Sequence, residues 1–134
     1  AQLSALEWKA RGNKALEEDD PQEALRCYTA AIELDNRNHT LFSNRSAAYL
    51  SINDPSRALH DADKCIDLCP SWVKGYLRRG AALMAMKRYE DAEKAYAGGL
   101  RVQADNVACQ DGVAATRQAL KGGKQSGWGW FNKS

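Results

Sequence analysis

The sequence predicts an all-α fold in which helical hairpins stack one upon another, and three observations support this. The chain repeats every 34 residues, over segments 5–38, 39–72 and 73–106. Each segment holds apolar residues at helical spacing on both sides of a turn-forming stretch. Equivalent positions, here called slots, carry the same kinds of residue: aromatic (Trp8, Phe42 and Tyr76), arginine (Arg11, Arg45 and Arg79), glycine or serine (Gly12, Ser46 and Gly80) and alanine (Ala24, Ala58 and Ala92). A fixed period of this length is typical of stacked hairpins, which usually form a binding surface rather than an active site.

Each repeat divides into two helices. In the first repeat, Leu3 and Leu6 begin an apolar stripe at helical spacing. Asp20 then caps a second helix, Pro21 suits its first position because proline has no N–H to lose, and Glu23 completes a capping-box pattern. The Asp-Pro pair recurs one period later, whereas the third repeat has Arg-Tyr there, which makes its turn boundary harder to place. We therefore expect helices near 3–18, 21–34, 38–52, 55–68, 72–87 and 89–102.

A seventh helix is expected over about 106–121, after the third repeat. Its apolar residues are sparse and the remainder are polar, which suits a capping helix that covers the last repeat and shows water its other side. The Gly-Gly pair at 122–123 should stop this helix. We therefore divide the chain into a repeat domain over 1–121 and a Gly- and Trp-containing flexible tail over 122–134, with an aromatic docking motif as the alternative for the tail.

Composition excludes several classes of function. The chain of 134 residues is 44% apolar and 27% charged, with a formal net charge of +2. It is therefore not a general polyanion binder, and any basic site depends on the local placement of charge. No apolar run approaches the roughly 18–20 residues of a membrane span, and no secretory signal is visible. We expect no nucleic-acid partner and no membrane partner.

The four cysteines are expected to be reduced. Cys27 and Cys65 fall within the apolar rhythm of the repeat, so we interpret them as small packed residues. Cys65 and Cys69 could share a helix face, but His39 and His60 have no zinc-type spacing with them. We therefore expect no metal and no cofactor. Reduced thiols fit a cytoplasmic location.

The pattern of slots resembles the tetratricopeptide repeat over about 5–121. It shares the 34-residue period, the aromatic residue, the Gly or Ser, the Ala, and a Tyr one helical turn after that Ala in two of three repeats. The resemblance implies a right-handed superhelix of three helix-turn-helix repeats with a C-terminal capping helix. The usual proline between repeats is present only at Pro70.

Stretches 9–16, 43–49 and 72–79 look like the carboxylate-clamp subclass of this family. That module is found in the Hsp-organising (stress-inducible) co-chaperone and its relatives, and the chain most resembles the first module of that co-chaperone. In the family the clamp holds the C-terminal Glu-Glu-Val-Asp tail of cytosolic heat-shock chaperones. The positions that match the clamp here are Lys9, Asn13, Asn44, Lys74 and Arg78.

The spacing of these residues supports the same site independently. Lys9 and Asn13 are four residues apart, as are Lys74 and Arg78, so each pair projects from one face of its helix. Asn44 lies on the helix between them. Because the first helices of successive hairpins line the concave side of such a stack, the five side chains should converge there. Cations and amides suit a terminal carboxylate beside an Asp side chain, whereas the alternative is an ordinary solvated charged face.

Residues beside the clamp are expected to select what precedes the final Asp of the peptide. The resemblance favours the 70 kDa chaperone class, whereas the small side chains at two of these positions leave the 90 kDa class open. The expected side-chain pockets are formed by Leu16, Ala47, Leu50, Ser51, Met84 and Ala85, with Arg88 nearby.

Other functions are less consistent with the sequence. Arg11, Arg45 and Arg79 could form a phosphate-binding stripe, but no aromatic residues interleave with them, and we expect them to pair or pack within the protein. No nucleophile elbow, metal motif or phosphate loop appears, so we expect no enzyme. The leading hypothesis is a monomeric binding module of a co-chaperone. The alternative is a repeat scaffold that assembles through its convex face or its aromatic tail.

Overall fold

The computed structural model describes the backbone of residues 2–132 and the side chains of residues 2–122. Over that backbone it contains seven helices and no strand, which confirms the predicted all-α fold. Each of the six helices predicted within the repeats is present, and its ends agree with prediction to within about two residues. The helices are α1 (Ala5–Glu17), α2 (Pro21–Leu34), α3 (His39–Ser51), α4 (Pro55–Leu68), α5 (Val73–Ala85), α6 (Tyr89–Val102) and α7 (Val107–Asn132).

The capping interactions explain where the first helices begin. Ser4 caps α1 with a full capping box, in which its Oγ accepts the Glu7 N–H at 3.1 Å and its own N–H donates to the Glu7 carboxylate at 3.1 Å. This box was not predicted. The box predicted for α2 is wrong in one half. Asp20 accepts the Glu23 N–H at 3.2 Å, but the Glu23 carboxylate turns away to Arg26, at 2.6 Å, because a cation one turn along is the stronger partner.

The turn within each hairpin contains one residue in the left-handed conformation. These residues are Asp19, Asn53 and Lys87, with φ of 58°, 61° and 59°. They occupy the same slot of the three repeats. Asp and Asn tolerate this conformation because their short side chains bond locally, whereas Lys has no such compensation. The repeat therefore fixes the turn geometry even where the residue type does not favour it.

The packing of the helices defines an inner and an outer layer. Each repeat is a hairpin, α1 with α2, α3 with α4 and α5 with α6, and each second helix also packs on the first helix of the next unit. In addition α1 contacts α3, α3 contacts α5 and α5 contacts α7. Across the described helices no such contact joins α2 to α4 or α4 to α6. The odd-numbered helices therefore line the concave side, and the even-numbered helices lie outside.

Close approach within each hairpin depends on matched residues at two slots. A Cβ on Gly12 would lie only 2.5 Å from Tyr28 Cε1, so glycine is required for the tyrosine ring to lie flat against α1. The third repeat has the same Gly–Tyr arrangement. In the second repeat Ser46 replaces the glycine and Ala62 replaces the tyrosine. The larger residue on one helix is thus balanced by a smaller residue on the other, which keeps the interface close-packed.

The predicted intramolecular roles of the repeated arginines are confirmed. Arg45 forms two parallel bonds to Asp61, of 2.8 and 2.9 Å, and this carboxylate is only 1% exposed. Arg79 on α5 pairs with Asp63 on α4, across the junction between the second and third hairpins. The Arg11 guanidinium instead lies 5.7 Å from the centroid of a tryptophan ring one turn before it. Arg45 therefore stabilises a hairpin, Arg79 links two hairpins, and all three side chains are engaged within the protein.

The capping helix α7 covers the last repeat, as predicted, but it is longer than expected. Gly112 on α7 packs against the Tyr96 ring of the third repeat. The predicted stop at 122–123 is wrong, because the helix continues to Asn132. Glycine ends a helix by adopting positive φ, and Gly122 does not do so. The predicted flexible tail concerns residues whose side chains lie outside the described set.

The cysteines Cys27 and Cys65 are packed as predicted, with no solvent exposure. All four cysteines are free thiols, and only Cys69 is partly exposed. Burial raises the pKa of the Cys65 thiol to about 11, so this group stays neutral near physiological pH. Across the described residues, no helix has both the length and the apolarity that a bilayer crossing requires.

Candidate functional site

The five predicted clamp residues all lie on helices of the concave side. Lys9 and Asn13 are one turn apart on α1, Asn44 is on α3, and Lys74 and Arg78 are one turn apart on α5. Two direct contacts link these helices. Asn44 Nδ2 donates to Asn13 Oδ1 at 3.1 Å, and Arg78 Nε donates to Ser43 Oγ, beside Asn44, at 3.2 Å. The fold thus brings Asn13, Asn44 and Arg78, from three separate repeats, to one face, with Lys9 and Lys74 one turn earlier on the same helices as Asn13 and Arg78.

The asparagine half of the site is organised by a buried tyrosine. Tyr28 is fully buried, and its hydroxyl donates to Asn13 Oδ1 at 2.6 Å. The same oxygen accepts from Asn44, so both of its lone pairs are used. Asn13 itself is exposed on the groove side. In the sequence, Tyr28 is the tyrosine one helical turn after the repeated Ala, and that pattern did not connect it with the site.

The arginine half of the site is a half-buried cation. Arg78 lies partly buried in the groove floor, and its partner Ser43 is completely buried. Burial lowers the pKa of Arg78 because the charged form loses solvation. The pKa of Tyr28 is raised to about 12 by its own burial, an effect that the nearby Arg78 charge partly opposes. Arg78 bonds Ser43 and Asn13 bonds Asn44, and these two partners are consecutive residues of α3, so the two halves lie side by side.

Among the cations of residues 2–122 that form no ion pair, only Lys9 and Arg78 are partly buried, and both belong to the site. Ion pairs within residues 2–122 involve Lys14, Arg26, Arg45, Arg57, Arg79, Arg88 and Arg117. Lys9, Lys74 and Arg78 are absent from that set. A partly buried arginine without a carboxylate is costly, because desolvation is not repaid by a neighbouring charge. The groove therefore offers positive charge and amide donors to an anion from outside the chain.

An aromatic residue borders the site at the start of α5. Trp72 precedes this helix, and the Lys74 ammonium lies 5.9 Å from the centroid of its ring. The His39 ring meets Trp72 edge to face, with centroids 4.7 Å apart. Such contacts restrict where the flexible lysine head can lie. Sequence reasoning did not include Trp72, although its position two residues before a predicted clamp lysine was a usable signal.

The six predicted pocket residues are divided between the groove and the core. Leu16 packs against the core of the first hairpin, and Met84 packs against the core of the third. Ser51 is exposed, and its hydroxyl bonds the Ala47 carbonyl oxygen at 3.1 Å. The remaining two are Leu50, which is half-buried, and Ala85, which is exposed. The neighbouring Arg88 pairs with Asp91 instead of standing free. All six remain candidates for contact with a ligand side chain.

A concavity of about 650 Å³ lies on the outer side, between α4 and α6. It is lined by charges of both signs, and Arg79 and Asp63 within it already pair with each other. Because the positive and negative charges balance, this surface does not attract an anion in particular. The outer concavity is lined by three charges of each sign, whereas the five clamp residues include three cations and no carboxylate.

Sequence comparison identifies similar proteins over most of the chain. A model of the tetratricopeptide repeat matches residues 73–106. The protein STIP1 homolog of Dictyostelium discoideum is 42% identical over 120 residues, and the heat shock protein sti1 homolog of Schizosaccharomyces pombe is 44% identical over 128 residues. The alignments cover 90% and 96% of this chain. The chain spans about a fifth of the length of these relatives, namely 21% and 22%.

Structural comparison identifies repeat domains with bound peptides. The first TPR of Spaghetti (RPAP3), bound to the HSP90 peptide SRMEEVD, superposes with a TM-score of 0.84 at 33% identity, over 88% of this chain and 94% of that one. The second TPR domain of human RPAP3, in complex with the HSP70 peptide SGPTIEEVD, gives a TM-score of 0.81 at 29% identity, over 84% and 94%. Both peptides end in Glu-Glu-Val-Asp.

Proposed function

We propose that this chain, which belongs to the tetratricopeptide repeat family, binds the C-terminal Glu-Glu-Val-Asp tail of cytosolic heat-shock chaperones as part of a co-chaperone. The terminal carboxylate and the Asp side chain of the tail are the anions that the groove receives. Lys9, Asn13 and Asn44 hold one carboxylate, while Lys74 and Arg78 hold the other. The proposed function is that of a binding module without catalysis, acting as a monomer in the cytoplasm.

One observation carries this proposal: among the cations without an acidic partner in the described part of the chain, only Lys9 and Arg78 are partly buried, and both are clamp residues. A solvated charged face would not bury a cation without compensation. Each charge-assisted hydrogen bond contributes roughly 1.5–3 kcal/mol. Several of them, less the cost of ordering a flexible peptide, correspond to micromolar affinity, about −8 kcal/mol.

The preferred partner is proposed to be the 70 kDa class. An isoleucine precedes Glu-Glu-Val-Asp in the HSP70 peptide, whereas a methionine does so in the HSP90 peptide. Leu16, Leu50 and Met84 are half-buried apolar residues in the third and fourth turns of the groove helices. They offer a rigid branched side chain an apolar wall at low cost in rotamer freedom. The 90 kDa class remains a second ligand, because both tails present the same two carboxylates.

Isothermal titration calorimetry with SGPTIEEVD and SRMEEVD tests the proposal. We expect micromolar binding to both, tighter for the first, and at least about tenfold weaker binding by Lys74→Ala. Lys14→Ala is the matched control, since Lys14 is 76% exposed and pairs with Glu18. That variant should bind within about twofold of wild type. Equal affinities for Lys74→Ala and wild type would overturn the clamp assignment.

A further inference from the structure

We propose that Tyr28 is a positioning residue for peptide binding, and that it acts by aiming the side-chain amide of Asn13 into the groove. The inference rests on the proposed function, because it concerns how the same site presents its donors. Tyr28 has no solvent exposure, so it cannot touch a ligand itself. Its hydroxyl nevertheless donates to Asn13 Oδ1 at 2.6 Å, at the edge of the groove.

The two hydrogen bonds to Asn13 determine which way its amide faces. Asn13 Oδ1 accepts from the Tyr28 hydroxyl and from Asn44 Nδ2, at 2.6 and 3.1 Å. Rotating the amide by half a turn would place its NH₂ group against the Asn44 NH₂ group and would lose the acceptor for the hydroxyl. The Nδ2 donors of Asn13 therefore face away from both neighbours, towards the exposed side, where a carboxylate needs donors.

The position of Tyr28 is itself over-determined by packing. Its ring lies against Gly12, where even a methyl group would not fit, and it belongs to the buried core of the first hairpin. Burial also raises the pKa of the Tyr28 hydroxyl to about 12, so the group keeps its proton and remains a donor at physiological pH. A rigid donor below the groove floor thus fixes a flexible amide above it.

The repeat supplies an internal comparison that separates packing from positioning. Tyr96 occupies the same slot in the third repeat and packs on Gly80 in the same way. The residue equivalent to Asn13 in that repeat is Ala81. The tyrosine ring therefore packs the hairpin without any bond from its hydroxyl to an asparagine. The contact between the tyrosine hydroxyl and an asparagine occurs where the clamp lies, and only the first repeat combines the two residues.

The test compares Tyr28→Phe with Tyr96→Phe by calorimetry against SGPTIEEVD. Each variant keeps its ring, so both should fold, which thermal unfolding checks. We expect Tyr28→Phe to weaken binding roughly 3- to 10-fold and Tyr96→Phe to change it less than about twofold. In an Asn13→Ala background, Tyr28→Phe should add less than about twofold. Wild-type affinity for Tyr28→Phe, or the same loss in both backgrounds, would overturn the proposal.

A second measurement keeps this inference separate from the proposed function. In ¹⁵N-labelled protein without peptide, the Asn13 side-chain amide resonances should shift in Tyr28→Phe and stay unchanged in Tyr96→Phe. Unchanged Asn13 resonances in both variants would contradict the positioning role, whatever peptide the protein binds. Failure of wild type to bind the peptide, together with the expected amide shift, would contradict the proposed function alone.

Discussion

Replacing Arg78 by methionine separates the binding function of this residue from its structural role. The methionine side chain keeps most of the aliphatic volume of arginine but removes the charge and all of its donors. In the folded protein, Arg78 is partly buried, donates to Ser43 at 3.2 Å and has no carboxylate partner within residues 2–122. Its lowered pKa reflects the same uncompensated burial. The charge is therefore not explained by stability.

The expected effects on binding and on folding differ in size. Loss of one charge-assisted contact to the peptide should weaken affinity by about 10- to 150-fold, from about 1.5–3 kcal/mol. Loss of the bond to the buried Ser43 hydroxyl costs about 1–3 kcal/mol, but removal of a desolvated cation offsets it. The free energy of unfolding should therefore change by less than about 1 kcal/mol, in either direction.

Calorimetry with SGPTIEEVD and chemical unfolding of the free protein measure the two quantities on the same sample. Arg101→Met is the matched control, since Arg101 is exposed on α6 at the outer concavity. It should leave both quantities near their wild-type values. Unchanged affinity in Arg78→Met would refute the assignment of Arg78 to the clamp. A loss of several kcal/mol in stability would show that Arg78 is a structural residue.

Three further predictions concern packing, the buried ion pair and the thiols. Gly12→Ala should lower the free energy of unfolding by about 1–3 kcal/mol, because the new Cβ would overlap the Tyr28 ring. Gly122→Ala should raise it by up to about 1 kcal/mol, because no atom lies within 4 Å of the new Cβ and alanine favours the helix. Equal effects of the two substitutions in urea unfolding would contradict this. Asp61→Ala should lower the free energy of unfolding by about 3–5 kcal/mol, because it leaves the partly buried Arg45 without its acidic partner. A decrease below about 1 kcal/mol would show that the protein does not need this ion pair. At pH 8, Ellman's reagent should rapidly modify Cys69 alone among the four cysteines of the native protein. The other three thiols are buried, and burial raises their pKa values. Rapid release of more than one equivalent of the thionitrobenzoate product would contradict that packing.

The helices could be predicted closely because most local signals recur in at least two of the three repeats. Asp20 and Pro21 mark the start of α2, and equivalent residues mark α4. Tyr89 begins α6 at the expected place without such a pair, since the register of the repeat had already fixed the turn. Where the pattern did not repeat, prediction was weaker. The capping box at Ser4 precedes the first repeat, and no second copy of it was available for comparison.

The length of α7 was mispredicted for a related reason. A Gly-Gly pair is a common stop signal, but glycine costs a helix interior only about 1 kcal/mol relative to alanine. A helix that already packs on the last repeat can absorb that cost. A glycine ends a helix only when it adopts the left-handed backbone conformation. The sequence does not show whether a glycine does so or stays helical, as Gly122 does.

The sequence predicted which residues form the candidate site but not the contacts between them. Spacing on the helices placed Lys9, Asn13 and Arg78 on the concave side. It did not reveal that the hydroxyl of a core tyrosine reaches Asn13, because the slot of that tyrosine is explained by packing alone. It also missed Trp72, since contact with Lys74 depends on the direction of two side chains at a helix start. Such relations are three-dimensional and become visible only once the backbone is known.

The measurement that tests the central claim most directly is calorimetry of the wild-type protein with SGPTIEEVD and with the same peptide amidated at its C-terminus. The two peptides differ only in the terminal carboxylate, so the comparison isolates the anion that the clamp is proposed to hold. We expect micromolar affinity for the free acid, at least about tenfold weaker binding of the amide, and loss of affinity with added salt. Equal affinities for the two peptides would contradict the carboxylate clamp.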